Sequence, residues 1–157
     1  MQFQRQGDRG RYPPRGEQRL PSLPSAYLGE GYFDSNGNIN CELLTQTAEQ
    51  VAKDLGNSGI TSTQLRRFFT QIRSIARELG QKDFSEIVPQ IKSLKPMAAN
   101  YVGRGNNSWE RERREVFKQF IDRNVQFASR DKKGFKKGFI PHFESVVAYY
   151  KYHFPNK

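Results

Sequence analysis

The stretch "ITSTQLRRFFTQIRSIARELG", residues 60–80, has the pattern of one amphipathic helix. Its apolar residues recur at helical spacing and share one side of a wheel that steps by about 100° per residue. These residues are Leu65, Phe68, Phe69, Ile72, Ile75, Ala76 and Leu79. Thr61 and Gln64 form a capping box at the start, and Gly80 ends the pattern. The stretch therefore predicts a helix with one face in a hydrophobic core.

The same stretch carries arginines along the edge of its apolar face. Relative to Leu65, the residues Arg73, Arg66 and Arg77 fall near about 80°, 100° and 120°. Arg67 lies apart, near about 200°. Solvated helices usually mix acids with bases to gain (i, i+4) pairs, whereas this one has only one acid, Glu78. The arginines predict either an edge that binds an anion or ion pairs with acids on neighbouring helices.

The remainder of the chain predicts further helices joined by short loops. They cover residues of about 41–55, 61–80, 83–103 with breaks or bends at Pro89 and Pro96, 108–129 and 139–153. Gly56 is predicted as a left-handed C-terminal stop, and "SRDKKGFKKG" as a basic turn. Period-two alternation is confined to a weak hairpin candidate, "YFDSNGNIN". The fold class is therefore all-α, a compact bundle of about five helices.

The N-terminal residues differ in composition from the rest. Residues 1–30 are rich in proline, glycine and arginine, and their apolar residues show no period. Such a segment buries too little surface to offset its chain entropy, so it predicts a flexible basic N-terminal arm. An RG-type nucleic-acid tail and a solvated linker both fit it. We divide the chain into residues 1–38, arm and turn, and residues 39–157, the helical-bundle domain.

The charge balance points to polyanions. The chain has 26 Lys and Arg against 16 Asp and Glu, a net charge of +10, which favours nucleic acid over solubility alone. With one cysteine, Cys41, an internal disulfide is impossible. No apolar run reaches the roughly 18–20 residues of a membrane span, and the first residues lack a signal-peptide core. We therefore expect a cytoplasmic protein without membrane contact.

Catalytic and metal-binding patterns are missing from the sequence. "DSNGNIN", residues 34–40, begins like a calcium loop, but Ile39 and Thr45 replace its required Gly and Glu, so an Asn-Gly turn is expected. His142 and His153 have no Cys or carboxylate at metal-ligand spacing. No nucleophile motif or acid/base pair is recognisable. The sequence predicts a binding protein, not an enzyme, with no metal and no cofactor.

The charge run "WERERREVFKQF", residues 109–120, is a contrast to the arginine edge. Here Glu110 with Arg114, and Arg111 with Glu115, are spaced at (i, i+4). This spacing predicts a solvated face whose charges satisfy one another.

Three motifs together resemble one known family. They are "ITSTQLRRF", "LKPMAANYVGR" and the C-terminal "HFESVVAYYKYHF". Their order and spacing over about residues 40–154 resemble the small helical subunit of type III-A CRISPR–Cas (Csm) effector complexes. Arg66 and Arg67 match the basic positions of the first motif, and Lys95 and Arg104 those of the second.

The resemblance implies a non-catalytic subunit of an antiviral ribonucleoprotein. Several copies would stack head to tail beside the backbone subunits and also contact the large subunit. They would touch the sugar–phosphate backbone of the guide RNA and target RNA without reading sequence. The candidate RNA-binding residues are Arg66, Arg67, Arg73, Arg77, Lys95 and Arg104. The alternative is a helical protein–protein adaptor whose basic face docks an acidic partner.

Overall fold

The structure, a computed structural model, describes residues 20–157 and has the predicted all-α bundle. Its helices are α1 (Gln46–Asn57), α2 (Ser62–Glu78), α3 (Phe84–Lys92), α4 (Leu94–Gly103), α5 (Ser108–Ala128) and α6 (Ile140–His153). A 3₁₀ turn, Cys41–Leu44, precedes α1, and a π-helical segment, Gly134–Phe139, leads into α6. The flexible arm was predicted for residues 1–30, of which residues 1–19 lie outside the described residues.

Helix α2 forms as its sequence predicts. The Thr61 hydroxyl accepts the Gln64 amide N–H, and the Gln64 side chain accepts the Thr61 N–H, which completes the capping box. Leu65, Ile72 and Ile75 are buried in the core. This face meets α6, where the rings of Phe69 and Phe143 stack with centroids 5.5 Å apart. The packing of α2 therefore turns its arginines away from the core.

The segment between residues 83 and 103 forms a pair of helices. Helix α3 continues through Pro89 and ends at Lys92, so the predicted break falls a few residues later than that proline. Pro96 lies in the first turn of α4, where its missing N–H costs no helical hydrogen bond. Helix α4 ends at Gly103, as predicted, and packs against α5 through the edge-on rings of Tyr101 and Phe117.

The prediction for Gly56 was wrong. Gly56 is a helical residue of α1, and the residue with positive φ in this loop is Gly59, at 86°. Gly56 is instead required by packing, because a Cβ atom there would overlap the ring of Phe154 at the end of α6. The local sequence shows only a glycine before a loop. The close approach of α6 depends on tertiary packing, so it could not be predicted from that sequence.

The predicted basic turn is also helical. Residues 132–139 read "KKGFKKGF", and from Gly134 this repeat forms the π-helical segment. The wide π-helical turn places Gly134, Phe135, Gly138 and Phe139 together on the buried side. Glycine is needed at 138 because Tyr32 packs directly against its backbone. The lysines consequently lie on the outer side.

Residues 20–38, assigned from sequence to the arm and turn, contribute to the core. Leu23, Tyr27, Leu28 and Tyr32 are each at most 7% exposed. The segment is built from turns, with Leu28 at a positive φ of 54°, so its buried residues follow no period. It ends in one antiparallel bridge between Phe33 and Ile39. The packed unit of described residues thus begins before residue 39.

The bridge closes around the Asn-Gly turn that the sequence predicted. Gly37 has a φ of 79°, and the Asp34 carboxylate accepts the N–H groups of Asn36 and Asn38 at 2.9 and 3.1 Å. The carboxylate is used by the turn itself, as in an Asx turn. The calcium-loop reading of this stretch is therefore unnecessary.

A buried polar chain ties the N-terminal segment to the bundle. Nδ1 of His142 lies 2.6 Å from the carbonyl oxygen of Leu43, which can only accept, so Nδ1 carries the proton. Nε2 then accepts from the Tyr27 hydroxyl at 2.6 Å. Asn124 donates to the Tyr27 oxygen at 3.0 Å and accepts from Tyr32 at 2.8 Å. Every member has a consistent role, and His142 is a neutral histidine in the core.

Replacing Gly138 with alanine is expected to lower the free energy of unfolding by about 1–3 kcal/mol, the usual cost of overpacking. The new Cβ atom would displace Tyr32 from the core and from its bond to Asn124. Gly103→Ala is the matched control, because no neighbouring atom lies within 4 Å of a Cβ there. Urea unfolding of both variants checks this, and equal midpoints would contradict the packing role of Gly138.

Candidate nucleic-acid interface

The predicted arginine edge of α2 faces solvent. Arg66, Arg73 and Arg77 are exposed and follow one edge at i, i+7 and i+11. The guanidinium of Arg73 lies 5.3 Å from the ring centroid of Phe69, an attraction that holds it beside the apolar face. Arg77 lies in the last turn, where a cation also interacts favourably with the helix dipole. We call these three residues the α2 stripe.

No ion pair neutralises the α2 stripe within residues 20–157. The ion pairs there join Lys53 and His153 to Glu49, Lys82 to Glu78, and Lys118 to Asp122. Glu78, the one acid of α2, accepts a hydrogen bond from Gln90, which with the Lys82 charge lowers its pKa. Of the two interpretations of these arginines, pairing with acids of neighbouring helices is therefore not observed, and the stripe presents uncompensated positive charge.

Arg67 and Arg104 form a second group. Both are exposed, and both line a cavity of about 340 Å³ between α2, α4 and the start of α5, together with Arg114. Lys95 is exposed on α4 but does not line this cavity. The six predicted residues are thus divided into the α2 stripe, the cavity and an isolated lysine. The wheel placed Arg67 apart from the α2 stripe, and in the structure Arg67 lines the same cavity as Arg104.

The ion pairs predicted for α5 are not formed. Its arginines donate to backbone carbonyl groups instead: Arg111 to Gly105, Arg113 to Asn57 and Arg114 to Tyr101. These carbonyls lie at or just beyond the ends of α1 and α4, where the last turn of a helix leaves its acceptors unpaired. Glu110 in turn accepts the backbone N–H of Asn106 at 2.8 Å. Helix ends that are distant in sequence thus compete successfully with (i, i+4) partners.

Four lysines of the predicted basic turn form an exposed surface that was not predicted from the sequence. Lys132, Lys133, Lys136 and Lys137 are exposed along the π-helical segment, and none forms an ion pair with a described residue. Lys133 is held by a 2.7 Å hydrogen bond to the carbonyl of Gly37. The signal was the repeat "KKGFKKGF", whose period of four residues separates lysines from core residues on a helix. Because the repeat was interpreted as a turn, its separation of lysines from core residues was not predicted.

Other chemistries have little support in the described part of the chain. Residues 20–157 contain no cluster of three or more His, Cys, Asp or Glu side chains that could hold a metal ion. Nor do they include a helix with the length and apolar character needed to cross a membrane. Among residues 20–157, most aromatic side chains are buried, others are half-buried, and Tyr152 is exposed at 76%. This surface offers charge rather than stacking platforms.

Fold and surface together describe a small, basic, all-α protein. A family model described as Csm2 Type III-A matches residues 38–156, which is most of the chain. The chain therefore belongs to the Csm2 family and is a small subunit of type III-A CRISPR–Cas (Csm) complexes, as the sequence motifs indicated. No curated protein and no solved structure matched it.

Proposed function

We propose that this subunit contacts the sugar–phosphate backbone of the guide–target RNA inside the Csm complex, in antiviral defence. The observation that carries the proposal is the α2 stripe, a row of exposed arginines without a carboxylate partner among the described residues. Arginine has a planar fork that fits phosphate oxygens, and a row of such charges repels itself unless an anion binds. Lys95, Arg67 and Arg104 extend the proposed contact surface.

The proposed binding has no sequence readout. In an RNA-guided complex, base pairing reads the sequence, so a scaffold subunit needs only charge and shape. A duplex already stacks its bases, and the burial of most aromatic residues here agrees with that role. The subunit acts without catalysis and without a cofactor. Several copies stack beside the backbone subunits and the large subunit, in the cytoplasm.

The second candidate is a helical adaptor that docks an acidic protein. The lysine surface at residues 132–137 supports it, because its four exposed ammonium groups have no carboxylate partner among the described residues. Ribonuclease treatment of the purified complex separates the two candidates. Partners that stay bound, in a complex that never carries nucleic acid, would replace the RNA proposal with the adaptor.

Changing Arg66 and Arg73 to Glu is expected to weaken retention of target RNA by the assembled complex by about tenfold or more. Both side chains are exposed, so circular dichroism should show an unchanged helix content. The slope of log affinity against log salt should also become shallower by about 2, one for each lost phosphate contact. Filter binding of labelled target RNA across a salt series measures both quantities.

A charge-matched control keeps this experiment specific. Lys92→Glu with Lys151→Glu makes the same change in net charge on α3 and α6, at exposed lysines outside the α2 stripe. We expect this variant to retain target RNA as the unaltered subunit does. If the variant with Arg66 and Arg73 changed to Glu retains target RNA as well as the unaltered subunit, the assignment of the α2 stripe to RNA is wrong.

A further inference from the structure

The cavity that holds Arg67 and Arg104 has the composition of a binding site. Arg67, Arg104 and Arg114 line it together with the amide side chains of Gln64, Asn100 and Asn106. Its volume of about 340 Å³ lies in the range of small-molecule sites. The residues that line it include three guanidinium groups and no carboxylate. An anion is therefore the ligand that this composition favours.

One arginine is fixed in advance. Arg114 donates to the carbonyl of Tyr101 at 2.9 Å, and its guanidinium lies 4.6 Å from the centroid of the same ring. One of its five N–H groups serves that bond, which leaves others for a ligand. Arg67 and Arg104 are exposed and line the cavity from two different elements, α2 and the end of α4.

The rest of the lining suits a nucleoside better than a bare phosphate. The Oε1 atom of Gln64 accepts the Thr61 N–H in the capping box, so its NH₂ group remains a donor. Asn100 and Asn106 can donate and accept along the edge of a base. Phe68, Met97 and Tyr101 add apolar surface. Anionic, amide and apolar groups thus occur in one cavity of moderate size.

We propose that this cavity binds a single unpaired nucleotide, with its phosphate on the arginines and its base against the amide and apolar groups. The proposal rests on the proposed function, which brings RNA to this surface. It differs from that function in kind, because the α2 stripe would follow a duplex backbone whereas this cavity would hold one nucleotide. A carboxylate of a protein partner would use the arginines but leave the amide and apolar groups unused.

The test is a titration of the ¹⁵N-labelled subunit with uridine 3′-monophosphate, followed by amide shifts. We expect saturable shifts at residues 64–68 and 100–106, with uridine and inorganic phosphate each binding at least fivefold more weakly. Arg67→Ala with Arg104→Ala should weaken the mononucleotide at least tenfold. Lys92→Ala with Lys151→Ala is the matched control, since it removes two exposed positive charges that do not line the cavity, and its affinity should stay within twofold.

Other outcomes overturn the proposal in distinguishable ways. Equal affinity for inorganic phosphate would reduce the cavity to an anion site, and equal affinity for uridine would remove the role of the arginines. Loss of binding in both variants would indicate general charge attraction. If the mononucleotide fails to bind while the α2 stripe variant still releases target RNA, the cavity proposal fails and the proposed function stands. If the mononucleotide binds but the variant with Arg66 and Arg73 changed to Glu retains target RNA, the cavity proposal stands and the assignment of the α2 stripe to RNA fails.

Discussion

A chain that begins at Asp34 is expected to lose its cooperative fold. It would lack Leu23, Tyr27, Leu28 and Tyr32, four buried side chains. Each contributes about 2 kcal/mol or more through burial, and their sum is comparable to the roughly 5–15 kcal/mol that stabilises a typical domain. Removal of Tyr27 would also leave buried His142 without its donor. Urea unfolding followed by near-ultraviolet circular dichroism would show a shallow transition or none.

The matched control is a chain that begins at Leu20, because it keeps every contact described here. We expect it to unfold with the midpoint and slope of the full chain. The comparison also tests where the domain begins, since the Csm2 family match starts only at residue 38. Equal stability of the two shortened chains would show that residues 20–33 merely cover the bundle.

The parts of the fold that the sequence predicted correctly are those determined by neighbouring residues. Helix α2 is an example, because its apolar spacing and its capping box both lie within residues 61–79. The start of α5, predicted near residue 108, is likewise local, because the Asn107 side chain accepts the Glu110 N–H at 2.9 Å. The Glu110 carboxylate in turn accepts the N–H of Asn106.

The parts that it missed depend on distant packing. A Cβ atom at position 56 would overlap the ring of Phe154, and a Cβ atom at position 138 would overlap the side chain of Tyr32. Both positions therefore require glycine. Tyr27 and Tyr32 are core residues because their hydroxyl groups bond to His142 and Asn124, which are about a hundred residues away. Because residues 20–38 form irregular turns, their apolar residues follow no period from which these contacts could be predicted.

The candidate interface shows the same division. The wheel placed Arg66, Arg73 and Arg77 on one edge because that arrangement belongs to a single helix. The meeting of Arg67 with Arg104 and Arg114 could not be predicted, since it requires the packing of α2 beside α4 and α5. For α5 the prediction was wrong because the arginines donate to carbonyl groups at or just beyond the ends of other helices. Arginines on α2 have no such acceptor among the described residues, which is why we assign them to a ligand.

Replacing His142 with glutamine is expected to change how stability depends on pH. Burial lowers the pKa of His142 to about 4, against about 6.5 in an unfolded chain. Between these two pH values the unfolded state binds more protons, so the free energy of unfolding must fall as the pH falls. For this one group the loss reaches about 3 kcal/mol by pH 4. The contribution of His142 to the free energy of unfolding is therefore complete above about pH 6.5, and it is lost progressively as the pH falls towards about 4.

Glutamine does not titrate, so His142→Gln should lack this part of the acid dependence. At pH 7 the variant should be less stable by about 1–3 kcal/mol, because its bonds to Tyr27 and Leu43 are perturbed. At pH 4 that difference should vanish or reverse, as the unaltered protein must then protonate a buried ring or unfold. His153→Gln, a change at the half-exposed histidine near Glu49, should keep the steep acid slope. Parallel pH profiles for all three proteins would contradict the neutral, buried state of His142 on which the N-terminal attachment depends.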